Sequence, residues 1–149
     1  MNISLIDERK DTTVVTVRAA THADIDAVLA FWRVGAEGTS ISDDPDGVGA
    51  LIARDPEALL LAEADGQIVG TVIAGWDGWR AHLYRLAVHP DQRRRGIGTA
   101  LLEAAERRLS ALGARRLDAM VLDRNELAHH AWQAAGYKRD PDWTRWIKR

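Results

Sequence analysis

The stretch that decides the fold is LYRLAVHPDQRRRGIGTALL, residues 83–102. It begins as an apolar strand ending at Val88, continues through a polar loop, and brings Gly96 and Gly98 to the start of a helix. The first turn of a helix has unpaired N–H groups and the positive end of the helix dipole, and glycines let an anion approach the backbone. The stretch therefore predicts a binding site for a phosphate group, and a pyrophosphate suits it best.

Two common phosphate-binding loops do not match this stretch. A nucleotide P-loop needs Lys-Ser or Lys-Thr after its last glycine, whereas Thr99 and Ala100 follow Gly98. The dinucleotide fingerprint has a third glycine where this chain has Leu101, and its strand-to-helix turn is tighter than residues 88–96 allow. A different phosphate-bearing ligand is therefore expected.

The residues before this stretch alternate between strand and helix patterns. Two Asp-Gly pairs, at 65–66 and 77–78, predict turns that join three strands into an antiparallel meander. The elements expected in this part are a strand at 13–17, a helix at 21–35, a short helix after Pro45, and strands at 58–62, 67–74 and 82–88.

The residues after the glycines continue the alternation. An apolar stripe predicts a helix from about Gly96 to Leu112, and Asn125 caps a further helix that ends at Gly136. A strand at 117–122 lies between these helices, and one or two short strands are expected within 137–147. The order β-α-α-β-β-β-α-β-α-β predicts a single α+β domain over residues 13–149, preceded by an extension at 1–12.

Composition narrows the possible functions. The chain has 149 residues, of which 46% are hydrophobic and 28% charged, as in ordinary globular domains. A formal net charge of -2 argues against nucleic-acid binding through residues 93–95 and against an anionic membrane surface. The sequence contains no cysteine, which excludes disulfides, thiolate zinc sites and a cysteine nucleophile, and no metal site is expected. No run of about 20 apolar residues occurs, so a cytoplasmic protein is expected.

The pattern Arg93-x-x-Gly96-x-Gly98, after Leu86-Ala87-Val88, resembles the coenzyme A motif of the GCN5-related N-acetyltransferase (GNAT) superfamily. The resemblance extends from about 13 to 147. It implies a central mixed, mostly antiparallel sheet flanked by about four helices, and acetyl-CoA as co-substrate. It also implies direct transfer to a primary amine of a small molecule, a peptide N-terminus or a lysine.

Specific residues follow from the resemblance. Backbone amides of residues 94–99 would hold the pyrophosphate, and a backbone N–H within 86–88 would hold the oxyanion. The next strand would splay away from residues 86–88 to admit the pantetheine arm. The cofactor-binding residues implied are Leu86, Ala87, Val88, Arg93, Arg94, Arg95, Gly96, Ile97, Gly98, Thr99, Asn125 and Trp132. The arginines could also be a solvated cluster, and Asn125 could be a helix cap alone.

The catalytic groups depart from the family pattern. His82 lies where several members have a carboxylate base, and an imidazole can accept a proton directly or through water. Tyr84, on the same strand face, is the second candidate. Trp132 replaces a tyrosine that donates a proton to the thiolate in many members, and an indole cannot act as a general acid.

Two features leave alternatives open. The missing tyrosine and carboxylate are compatible with a catalytically silent acyl-CoA sensor or interaction module. Six tryptophans are many for this length, and they could line an acceptor cleft, pack in the core, or form the surface of a homodimer. The members considered for the cleft and the dimer are Trp32, Trp76, Trp79, Trp143 and Trp146.

Overall fold

A computed structural model describes residues 14–36 and 40–149 of the chain. Four helices and five strands alternate in these ranges, in the order expected up to the last helix. The strands are β1 (Val15–Ala19), β2 (Leu59–Ala64), β3 (Gln67–Trp76), β4 (Ala81–Val88) and β5 (Leu117–Ala119). The helices are α1 (Ile25–Gly35), α2 (Pro45–Arg54), α3 (Ile97–Ala111) and α4 (Glu126–Ala134).

The strands form one sheet in the order β1-β2-β3-β4-β5. The first four are antiparallel neighbours, and β5 pairs with β4 in parallel. The β2–β3 turn places Asp65 and Gly66 at φ 53° and 75°, the left-handed pair that a tight hairpin requires. The predicted mixed, mostly antiparallel sheet with four helices is therefore confirmed.

Helices cover both faces of the sheet. On one face, α3 buries the stripe predicted from its sequence, except that Leu112 at its end is 43% exposed. A β-carbon on Gly70 of β3 would come within 2.8 Å of Leu101 Cδ1, so this glycine lets α3 pack directly against the sheet. On the other face, α1 and α2 pack around Trp32, Ile52 and Leu61. The two helices enclose one side of the cleft described below.

Three sequence predictions need correction. The strands expected within 137–147 are wrong, because these residues form no regular secondary structure and most are exposed. The predicted strand at 117–122 ends at Ala119, because the ladder with β4 stops at the Leu83–Ala119 pair and one further backbone bond, from the Met120 N–H to the Leu83 carbonyl, follows it. The first strand lies at 15–19 rather than 13–17. The expected extension at 1–12 lies outside the described residues.

The tryptophans divide into two groups. Trp32 and Trp132 are buried, and Trp76 packs partly against the core. Trp79, Trp143 and Trp146 are largely exposed, so core packing does not account for them. No helix in the described ranges combines the length and apolar character needed to cross a bilayer.

Candidate functional site

The sheet opens between β4 and β5. The two strands pair only from Ala81–Leu117 to Leu83–Ala119, and one further backbone bond joins the Met120 N–H to the Leu83 carbonyl at 3.2 Å. Beyond this point β4 continues to Val88 while β5 has ended. The backbone of β4 from Tyr84 onward therefore has an open side, as the resemblance implied.

A pocket of about 760 Å³ lies in this opening. Its walls come from Tyr84, Arg85 and Leu86 on β4, from residues 120–122 after β5, and from one face of α4. Trp32 of α1 and residues of α2 form the remaining wall. The volume is in the range of pockets that hold small molecules and cofactors.

Charged side chains line the α1 side of the pocket. Arg85 pairs with Asp43, and each side chain is only 15% exposed. The Arg85 guanidinium also lies 5.2 Å from the centroid of the Trp32 ring. Arg145 lines the same pocket and forms no ion pair with any residue in the described part of the chain. The pocket lining therefore contains the Arg85–Asp43 pair and a further positive charge on Arg145.

Four of the predicted site residues line the pocket: Tyr84, Leu86, Asn125 and Trp132. The Asn125 side chain accepts a hydrogen bond from the Ala128 N–H at 3.1 Å, so it caps α4 as the sequence indicated while also facing the pocket. The Trp132 ring packs edge-on against Tyr137 at 4.8 Å. The Tyr137 hydroxyl is held by Glu106 at 2.5 Å, so Tyr137 has a structural role.

His82 lies beside the pocket without lining it. Its ring stacks on Tyr84 with the ring centroids 6.1 Å apart, and its Nε2 is 3.9 Å from an Asp77 carboxylate oxygen. The pKa of Tyr84 is raised, mainly because burial disfavours the phenolate. Tyr84 is therefore protonated at neutral pH, which favours a role as proton donor over a role as base.

The glycine loop leads directly into α3. Arg94 and Gly96 have φ of 67° and 79°, and no side chain caps the helix at Gly96. A β-carbon on Gly98 would meet only Val88 Cγ2, at 3.7 Å, which is ordinary contact. The first turn of α3, which contains Thr99 after the buried Ile97, thus has N–H groups without a side-chain partner, as an anion site requires.

The predicted cofactor-binding residues at positions 87, 88 and 93–95 lie outside the pocket lining. Arg93, Arg94 and Arg95 are exposed, and Arg95 donates to the Gln92 side chain at 3.2 Å. Ala87 is buried against α1 and α2, so only its backbone could meet a ligand. None of these residues, nor Val88, lines the pocket.

Sequence reasoning missed three residues of this region, Asp43, Thr71 and Arg85, whereas Trp32 was among the tryptophans considered for an acceptor cleft and does line the pocket. A local signal existed for Arg85, because a charged residue interrupts an otherwise apolar strand. Asp43 lies in a loop rich in Ser and Asp, where nothing distinguishes it from its neighbours. Among the described residues, no three His, Asp or Glu side chains are grouped closely enough to hold a metal ion.

Comparisons with known proteins agree on one family. A family model described as the Acetyltransferase (GNAT) family matches residues 25–137. An acetyltransferase of Pectobacterium atrosepticum is 33% identical over 122 residues, covering 82% of this chain and 86% of that protein.

Two solved structures are similar in fold. The PaiA N-acetyltransferase of Thermoplasma acidophilum, in complex with coenzyme A, has a TM-score of 0.75 at 18% identity and covers 86% of this chain and 92% of its own. The diaminobutyrate acetyltransferase EctA of Paenibacillus lautus, in complex with L-2,4-diaminobutyric acid and coenzyme A, has a TM-score of 0.68 at 22% identity. It covers 83% of this chain and 75% of its own.

Proposed function

The chain belongs to the acetyltransferase (GNAT) family, and on that premise we propose that it moves the acetyl group of acetyl-CoA directly to the primary amine of a small molecule. The observation that carries the proposal is the open side of β4, where the strand runs on to Val88 beside a pocket of about 760 Å³. This opening gives a thioester arm access to backbone hydrogen-bonding groups in the middle of the sheet.

The N–H groups of residues 94–99 are proposed to hold the pyrophosphate of acetyl-CoA. The uncapped start of α3 and the left-handed conformations of Arg94 and Gly96 support this role. Consecutive backbone amides in such a turn can converge on an anion, and the helix dipole adds a partial positive charge. The exposed arginines at 93–95 supplement these amides as surface charges.

The Leu86 N–H is proposed to stabilise the transition state. The amine nitrogen attacks the thioester carbonyl carbon, a C–N bond forms, the C–S bond breaks, and coenzyme A leaves as a thiolate. Negative charge develops on the carbonyl oxygen during attack, and a fixed N–H donor stabilises that charge most strongly where water is excluded. Since the sequence has no cysteine, no thioester intermediate on the protein is expected.

His82 and Tyr84 are proposed to move the two protons. His82 would take a proton from the amine through water, and its Nε2 lies 3.9 Å from an Asp77 carboxylate oxygen. Tyr84 lies in the pocket with a raised pKa and would donate to the departing thiolate.

Replacing His82 by Gln should lower kcat/KM by about 10²-fold or more at pH 7, a typical contribution of a general base.

The acceptor is proposed to carry a carboxylate in addition to its amine. Asp43 can receive an ammonium group, while Arg145, which lines the same pocket, supplies a positive charge. Arg145 also faces Tyr84 closely enough for its charge to oppose, in part, the rise in the Tyr84 pKa caused by burial. A carboxylate beside Arg145 would leave the amine free to reach the thioester.

Release of free thiol from acetyl-CoA tests the proposal. The panel pairs each small amino acid with its amide and with the corresponding decarboxylated amine, and adds peptides with a free N-terminus or a lysine. We expect release with small amines, and a lower KM when the carboxylate is present. Arg145→Ala should abolish that preference, whereas Arg115→Ala, an exposed change outside the pocket, should keep it.

Other outcomes would overturn the proposal. Release with peptides alone would exclude a small-molecule acceptor. Binding of coenzyme A without release for any amine would identify a catalytically silent sensor. We also propose that the protein acts in the cytoplasm, where acetyl-CoA is available and where a chain without disulfides needs no oxidising compartment.

A further inference from the structure

Strand β4 contains a bulge at the point where it borders the pocket. Tyr84 pairs with Ile73, and Ala87 pairs with Thr71, so Arg85 and Leu86 together oppose the single residue Val72. Arg85 has φ of 54°, in the left-handed region, which costs a non-glycine residue roughly 1–2 kcal/mol. The surrounding structure must hold the bulge in this conformation.

The Thr71 hydroxyl is the group that holds it. Thr71 is fully buried, and it is the one polar side chain in the core formed by the described residues. Its Oγ1 donates a hydrogen bond to the Arg85 carbonyl at 2.8 Å and accepts one from the Trp32 Nε1–H at 3.0 Å. Because the indole N–H uses the oxygen as acceptor, the hydroxyl proton is left to point at the Arg85 carbonyl.

The peptide bond transmits this orientation to the pocket. In a planar trans peptide, the carbonyl of one residue and the N–H of the next point in opposite directions. The Arg85 carbonyl points to Thr71 on β3. The Leu86 N–H therefore points away from β3, to the side of β4 that β5 leaves open beyond Leu83.

We infer that Thr71, supported by Trp32, is a positioning residue for acetyl transfer: it fixes the bulge so that the Leu86 N–H faces the thioester carbonyl. The inference rests on the proposed function and goes beyond it, since neither side chain needs to touch acetyl-CoA to act in this way. Trp32 holds the bulge at a second point, because its ring lies beneath the Arg85 guanidinium.

The decisive comparison is Thr71→Val against Thr71→Ser. Valine keeps the shape and removes the hydroxyl, so the Arg85 carbonyl loses its donor. We expect kcat to fall about tenfold, while the KM for acetyl-CoA and the affinity for coenzyme A change less than about twofold, since the N–H bonds the developing oxyanion more strongly than the neutral thioester carbonyl. Serine restores the hydroxyl and should bring kcat back to within about threefold of the parent.

A stability control separates positioning from a general loss of packing. Leu109→Val trims a buried side chain of α3 and should lower the melting temperature without lowering kcat. Equal kcat values for the Val and Ser variants of Thr71 would overturn the inference. So would a kcat for Thr71→Val no lower than that of Leu109→Val.

A second readout does not depend on turnover. With ¹⁵N-leucine labelling, the Leu86 amide resonance should move downfield with acetyl-CoA more than with coenzyme A, and Thr71→Val should remove the difference. If Thr71→Val removes the difference between the two Leu86 amide shifts while the parent protein acetylates no amine, the proposed function is refuted. The role of Thr71 in orienting the Leu86 N–H is then still supported. An unresponsive Leu86 amide in the parent, or an unchanged response in Thr71→Val, would overturn the positioning role itself.

Discussion

At the scale of single residues, glycine occupies positions 96 and 98 of the loop for different physical reasons. Gly96 has φ of 79°, a conformation that side-chain-bearing residues rarely adopt, so the backbone alone requires glycine there. Gly98 has no positive φ and has room for a methyl group, with Val88 at 3.7 Å as its nearest neighbour. Nothing in the described residues requires glycine at position 98, and we propose that the close approach of the pyrophosphate does.

Gly98→Ala should therefore separate binding from stability. The melting temperature of the free protein should stay the same or rise, because alanine favours a helix by up to about 1 kcal/mol over glycine. Affinity for coenzyme A should fall about tenfold by calorimetry, since the methyl group crowds the pyrophosphate. Gly49→Ala in α2, where a β-carbon also meets only ordinary contacts, is the matched control and should leave affinity unchanged. Equal affinity of both variants would contradict the proposed pyrophosphate site.

Tyr84→Phe tests the proton donor at the same scale. Removal of the hydroxyl should lower kcat about tenfold at pH 7. The pKa of Tyr84 is raised above its ordinary value of about 10 in the folded protein. The hydroxyl therefore keeps its proton throughout the neutral range and loses it only when the pH passes this raised pKa. The ratio of parent to variant kcat should therefore be constant from pH 7 to 9, and a ratio that rises across this range would indicate an active phenolate and argue against a donor role.

At the scale of elements, one arginine ties the first strand to its neighbours. Arg18 of β1 bonds both oxygens of Asp24, at 2.8 and 2.9 Å, and both oxygens of Glu63 on β2, each at 2.9 Å. Asp24 also accepts from the Thr21 N–H in the capping box that precedes α1. The cluster thus fixes where α1 starts relative to the sheet.

Arg18→Gln should destabilise the protein in a pH-dependent manner. Hydrogen bonds from Arg18 lower the pKa of Asp24 and of Glu63 in the folded state. Their stabilisation is therefore present at neutral pH and is lost as the pH falls below the ordinary carboxyl pKa of about 4. Since the cluster is partly exposed, the expected loss in free energy of unfolding is about 1 kcal/mol at pH 7, measured by urea denaturation, and less at pH 3. An equal loss at both pH values would contradict this origin.

The element β5 shows where sequence patterns are insufficient. Residues 117–122 read as one apolar strand, yet the strand ends at Ala119. The ladder with β4 stops before the bulge at Arg85, and Met120, Val121 and Leu122 line the pocket instead. A strand pattern reports burial of side chains, and it does not report whether a neighbouring backbone is present.

At the scale of the whole molecule, we propose that exposed apolar residues within 143–147 form the surface of a homodimer. Trp143, Trp146 and Ile147 are 76%, 89% and 56% exposed. Large apolar side chains exposed together are typical of interaction surfaces. We expect a homodimer by size-exclusion chromatography with light scattering, and a shift to monomer for the double variant Trp143→Ala with Trp146→Ala. Leu127→Ala, which is also exposed, serves as the control. A parent protein that stays monomeric at every concentration would refute the dimer.

The sequence by itself determined the order of the elements through α4, the glycine-opened helix and the acetyltransferase family, because these depend on local periodicity, turn chemistry and a short contiguous motif. It also identified Asn125 as a helix cap, which is a local hydrogen bond. The tertiary structure alone decided that Trp32, Thr71 and Arg85 meet at the bulge. Residues 32, 71 and 85 are brought together by pairing and packing across the sheet, and the direction of the Leu86 N–H depends on that meeting. Such long-range contacts leave no periodic pattern in a single sequence.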